Sequence, residues 1–108
     1  MLMSSADTIP GRQITEALSV VWGNTVRARW FGQDIGAALK QIVVGEIKGY
    51  TEMLSQARDQ AIERMVERAK ELGADAVVNV RFATSQIMGS AAEILAYGTA
   101  VKLQESGA

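Results

Sequence analysis

The stretch Ala69–Phe82, "AKELGADAVVNVRF", holds the sharpest local transition in the chain. A helical pattern stops at Gly73, and an apolar strand begins within two residues. Upstream, Tyr50, Met53, Leu54, Ala57, Ala61, Ile62, Met65, Val66, Ala69 and Leu72 recur at i, i+3, i+4 spacing. That spacing predicts a helix over Tyr50–Leu72. Its other face offers Arg64–Glu67, Glu67–Lys70 and Arg68–Glu71 as ion pairs of ~0.2–0.5 kcal/mol each. Gly73 supplies the left-handed residue that ends the helix. Downstream, Val78, Val80 and Phe82 fall on one strand face; Val77, Asn79, Arg81 and Ala83 fall on the other. The junction therefore turns a helix back onto its own sheet. Asp75, inside it, reads as a turn residue that bonds nearby backbone amides.

Working outward, "TSQIMGSA" carries a Gly-Ser turn signal, and "EILAYGTAVKL" (Glu93–Leu103) is a further strand. A turn near Met88 pairs Phe82 with Ile94 and Val80 with Ala96. The inner face is then Val78, Val80, Phe82, Ile94, Ala96 and Ala100. It receives Leu54, Ile62 and Val66 of the helix. Toward the N-terminus, "IPGRQ" is a turn, and "QITEALSVVWG" alternates as a strand, with Glu16 interrupting its apolar face. "GNT" breaks that run, and "VRARW" is a short extension. Ile35, Ala38, Leu39 and Ile42 predict a short helix over Gln33–Ile42, after which Gly45 and Gly49 bracket a loop.

The order is strand, short helix, long helix, strand, strand. The fold class is α+β, a small antiparallel-containing sheet with one long helix packed on it. The chain is one domain, 1–108, with residues 1–8 and 104–108 expected to fray. The outer sheet face is not polar: Leu95, Tyr97, Thr99 and Val101 share it with Val77. A solvated face would alternate to polar residues. Burial against a second copy of the chain answers this best, which makes Val77, Leu95, Tyr97 and Val101 the interface candidates. The competing cover is the Gln33–Ile42 helix.

Composition narrows the chemistry. The chain has 108 residues, 11 basic and 12 acidic, and a net charge of −1. No excess of cations exists to neutralise phosphates, so nucleic acid is not an expected partner. No stretch approaches the ~20 apolar residues of a membrane span. The N-terminus lacks the pattern of a signal peptide, so a cytoplasmic location is the expectation. There is no Cys and no His. Thiolate nucleophiles, imidazole bases and the usual zinc sites are thereby excluded. Among five Met, Met53 and Met65 sit in the helix stripe, Met1 and Met3 at the terminus and Met88 in the turn. They do not make a metal site. No cofactor is expected, and no catalytic constellation is present. The residues with any capacity to hold a ligand are Glu16 and Glu93, beside apolar strand faces, with Trp22 and Arg81. The reading is a non-enzymatic domain; the alternative is a small-ligand or metal-ion binding module with its site between protomers, for which Trp22, Trp30 and Tyr97 offer an aromatic platform.

Four segments, "LGADAVVNV", "GTAVK", "VVWGNTV" and "QIVVGEIKGYTEMLSQAR", together resemble the YbjQ-like family of small bacterial proteins, which carry a heavy-metal-binding description. The resemblance covers roughly Ile9 to Lys102. It implies an α+β protomer in a ring-like homo-oligomer, a pentamer, and no defined activity. Two departures stand out. The family's first strand can carry a Cys where this chain has Leu18, and "IVGG" is replaced by "IVVG", with Val44 for a glycine. The first removes the one soft-metal ligand the resemblance could supply. The second argues against a glycine-rich anion loop.

Overall fold

The computed structural model describes residues 1–28, 47–87 and 91–105. The expected Gln33–Ile42 helix, Gly45 and the turn at Met88 lie outside them. The elements are β1 (Leu2–Met3), β2 (Arg12–Ala28), α1 (Ile47–Glu71), β3 (Ala76–Gln86) and β4 (Ala91–Glu105). They form one four-stranded sheet in the order β1-β3-β4-β2. β4 runs antiparallel to both β2 and β3, and β1 pairs parallel with β3. The sheet is therefore mixed.

The helix ends as Gly73 requires. Gly73 has φ +78°. Its N–H donates to the Lys70 carbonyl at 2.9 Å, and Ala74 N–H donates to that of Ala69 at 3.0 Å. This is a Schellman close. The start of α1 lies earlier than the spacing indicated, because Gly49 is helical rather than in a loop. None of the three expected ion pairs forms within α1 among the described residues. Arg64 and Arg68 turn toward β2 instead, as described below.

α1 packs through small residues. Ala57, Ala61, Met65 and Ala69, four apart, are wholly buried against Val21, Val77, Ile94, Ala96 and Ala100. Leu54, Ile62 and Val66, expected to be the buried stripe, are only half-buried at its flank. The backbones come so close that a Cβ on Gly23 would overlap the Ala61 carbonyl oxygen. Gly23 is thus a contact residue inside β2, which is one strand of 17 residues rather than a strand, break and extension. Thr25, also buried, donates its hydroxyl to the Ala57 carbonyl at 2.9 Å.

The face assignment of β3 changes at Asn79. That residue has φ 55°, and the β3–β4 register shifts between Val78 and Arg81. The irregularity breaks the strict alternation used to sort the strand. Val77 consequently lies under α1 at 0 % exposure, and Val78 lies on the far face with Val101. Phe82 pairs with Ala96 and Thr84 with Ile94, so the register is two residues from the expected one.

The first residues do not fray. β1 and β2 occupy opposite sheet edges, so residues 4–11 must cross the far face to connect them. Ser4 N–H donates to Val77 O, Val80 N–H to Ser4 O and Asn79 N–H to Ala6 O, all at 2.9–3.0 Å. Ile9 closes over Ala76, Val78 and Val101, with Ile14 and Leu103 alongside. At the other terminus Gln104 and Glu105 remain paired with Gln13 and Arg12, and Arg12 Nε meets Glu105 Oε1 at 3.2 Å. The molecule is long, 61 × 23 × 16 Å. Its radius of gyration of 17.9 Å exceeds the ~13 Å of a rounded chain this size.

Candidate functional site

Beyond the N-terminal crossing, the far face is open among the described residues. On β2, Val20, Trp22 and Asn24 stand two apart. On β4, Glu93, Leu95 and Tyr97 do the same. Antiparallel pairing sets Trp22 opposite Tyr97 and Asn24 opposite Leu95. These six residues line a shallow groove of about 430 Å³. Trp22 is 47 % and Tyr97 37 % exposed. Val20 and Val26 on the same strand are more exposed still.

The polar end of the groove is organised. Asn24 Nδ2 donates to Glu93 Oε2 at 3.0 Å, and Ser85 Oγ donates to Glu93 Oε1 at 3.4 Å. Both partners are neutral, so the carboxylate has no cation beside it among the described residues. Cations do line the groove's outer rim. Arg68 reaches around β2 to place its guanidinium carbon 4.8 Å from the Trp22 ring centroid, a cation–π contact. Arg64 Nη1 donates to the Asn24 carbonyl at 2.6 Å, on a strand whose outer edge has no strand partner among the described residues.

Of the candidates read from the sequence, Trp22, Glu93, Leu95 and Tyr97 meet in this groove. Arg81 sits opposite Tyr97 in the ladder. Its guanidinium is turned to the carbonyls of Ser5 at 2.6 Å and Val80 at 3.0 Å. Glu16 lies away from the groove, exposed and opposite Lys102. Val77 and Val101 are excluded from any open surface by burial within the protomer, at 0 % and 1 % exposure. Neither Glu16 nor Glu93 pairs with Arg27 or Arg81; Arg27 donates to Gln60 Oε1 at 3.0 Å on the helix side. Val20, Asn24 and Ser85 were not singled out from the sequence. The i, i+2 spacing from Trp22 gives Val20, whereas Asn24 lies in the "GNT" that reads as a break in the strand.

The YbjQ family model, described as "Putative heavy-metal-binding", matches residues 1–104. The chain belongs to the YbjQ family. A UPF0145 protein of Archaeoglobus fulgidus is 60% identical over 104 residues, covering 96% of each chain. One from Psychromonas ingrahamii is 59% identical over 105 residues, covering 97% of this chain and all of its own. The archaeal relative shows that YbjQ proteins are not confined to bacteria. A Pediococcus pentosaceus protein of unknown function, from the DUF74 family, shares the fold at 16% identity with a TM-score of 0.67 over 96% of this chain and 98% of its own.

The donor set of this YbjQ protein does not fit a heavy metal. Soft ions select thiolate and imidazole ligands, and the chain has no Cys and no His. Met65 is wholly buried in the helix core. Met1 and Met3 are exposed on the N-terminal segment, remote in sequence from half-buried Met53. Among the described residues no three acidic side chains converge. Among them, too, no helix is long and apolar enough to cross a membrane.

Proposed function

We propose that this YbjQ protein is a non-enzymatic, self-assembling domain that closes into a ring, with five copies as the family resemblance implies. The observation that carries the reading is the open half of the far face. Val20, Trp22, Val26, Leu95 and Tyr97 give this face of the sheet an apolar surface that the described residues leave largely uncovered. The chain covers the other half of that face itself, with Ile9. A second copy covering the open half completes what the N-terminal crossing begins. The elongated protomer supports this, because a long thin body leaves more apolar surface to share than a rounded one. A ring needs a heterologous contact, in which this face meets a different surface of the next copy.

Leu95→Asp tests the reading by light scattering at micromolar concentration. The wild type is expected to be oligomeric and the variant dissociated, since a buried unpaired carboxylate costs several kcal/mol. A monomeric wild type refutes self-assembly. An oligomeric Leu95→Asp variant moves the interface away from this groove.

The second reading is a small-ligand module whose site forms between protomers. The side-by-side Trp22 and Tyr97, with Glu93 at the end of the groove, favour it. It predicts thermal stabilisation by a specific small molecule.

A further inference from the structure

Residues 1–9 are ordered, yet they are laid over the sheet rather than built into it. Ile9 is the one buried side chain among them; Ser4 is half-buried and the other seven residues are exposed. β1 supplies two ladder pairs, Leu2 with Ala76 and Met3 with Val77. Past β1 the ties are backbone bonds at the edge of β3. The Val77 carbonyl accepts Ser4 N–H, the Ser4 carbonyl accepts Val80 N–H, and the Ala6 carbonyl accepts Asn79 N–H. Arg81 adds its bond to the Ser5 carbonyl, on an exposed surface.

Two features separate this segment from the rest of the fold. Its apolar cluster, Ile9 with Ala76, Val78 and Val101, is distinct from the cluster that joins α1 to the sheet. Removing Ile9 from the first leaves the second whole, and β3 keeps its ladder with β4, as β4 does with β2. The segment also joins β2 through an exposed Pro10–Gly11 turn, closed by Arg12 N–H on the Ile9 carbonyl at 3.1 Å. Gly11 has φ +81° and open space around it, and glycine tolerates a wide range of backbone angles. Few buried apolar contacts and solvent-exposed backbone bonds are the marks of a unit that opens below the cost of global unfolding.

We propose that residues 1–9 form a strap that lifts from β3 and β4 as a unit, about the Pro10–Gly11 turn, while the sheet and α1 stay folded. Lifting uncovers Ala76, Val78 and Val101. Along β4, Leu95, Tyr97, Thr99 and Val101 stand at alternate positions, so the uncovered patch runs into the groove on the same face. The strap thus sets the extent of the apolar far face. Closed, it leaves the groove alone; open, it adds the surface beneath Ile9. The inference needs no second copy of the chain and stands apart from the self-assembly reading.

Native-state thiol labelling tests it. The chain has no Cys, so one introduced thiol reports on its own surroundings. Val78→Cys places it beneath the strap, at a site 3 % exposed; Ala100→Cys places it beneath α1, at a site with no exposure. In the full chain, Val78→Cys is expected to label at least about tenfold faster than Ala100→Cys. Its rate should rise little with low concentrations of urea, because lifting the strap exposes little surface, whereas that of Ala100→Cys should rise steeply. Adding Ile9→Ala should speed labelling of Val78→Cys at least about tenfold. Equal rates with equal urea dependence at the two sites, or a Val78→Cys rate untouched by Ile9→Ala, would overturn the strap. Amide exchange of the wild type gives the same decision without a substitution. Asn79 and Val80 N–H, which bond to the strap, should exchange with a shallow urea dependence and Ala96 N–H with a steep one; a shared steep dependence overturns the proposal.

Discussion

Gly23 lies directly beneath the carbonyl oxygen of Ala61, and the gap between strand and helix holds a hydrogen atom but no methyl group. The close approach is made possible by the alanines that α1 turns toward the sheet. Gly23→Ala is therefore expected to destabilise the fold by ~1–3 kcal/mol or more, because backbone must move to admit the Cβ. Gly11→Ala is the control. Gly11 has φ +81° and nothing within 4 Å of an added Cβ, so only backbone strain of ~1–2 kcal/mol applies. Denaturant unfolding of both variants checks the ordering, which fails if Gly11→Ala is the costlier.

Met65 is the large side chain at the centre of the helix–sheet contact, with no exposure. Met65→Ala should cost ~2–5 kcal/mol. Ile62→Ala, at the half-buried flank, should cost about 1–2 kcal/mol, since less apolar surface is removed from contact. Equal losses at the two positions would show that the helix leans further over β3 than described.

Asp75 binds where the helix returns to the sheet. Its Oδ2 accepts the Leu103 N–H at 2.8 Å, while its own N–H donates to the Val101 carbonyl at 2.9 Å. Asp75→Ala should cost about 1 kcal/mol, in keeping with one exposed hydrogen bond. Amide exchange at Leu103 should quicken while that at Ala96 stays slow. Unchanged exchange at Leu103 would remove the role assigned to the carboxylate.

The absence of soft ligands leads to a direct analytical test. After dialysis against a weak chelator, elemental analysis should find well under one zinc ion per protomer. A stoichiometric ion that survives chelation would show that carboxylates gather a site.

Much of this fold is legible locally. The long helix, its stop at Gly73 and the apolar pair of strands after it follow from spacing and one glycine. Three features are not, and each depends on contacts distant in sequence. Gly23 looks like a turn until α1 is laid against it. Asn79 looks like an ordinary alternating position, yet its left-handed backbone sends Val77 and Val78 to opposite faces from those expected. Residues 4–11 look like a loose terminus until β1 pairs with β3 on the far edge. The groove was half visible. Leu95 and Tyr97 announce an apolar face, but the pairing that brings Trp22 and Asn24 beside them is set by a register no local pattern records.

The strand order has a consequence for synthesis. β4, the last of the described strands, lies between β3 and β2 and is the shared partner of both. β2 leaves the ribosome early, and among the described strands its partner is β4, which follows much later. The long amphipathic α1 emerges before the sheet that buries it is complete. Productive folding must therefore await β4, and contacts of such separation form slowly. During that interval β2, without its β4 partner, and the bare helix stripe are exposed together, so nascent chains are at their most adhesive just before β4 emerges.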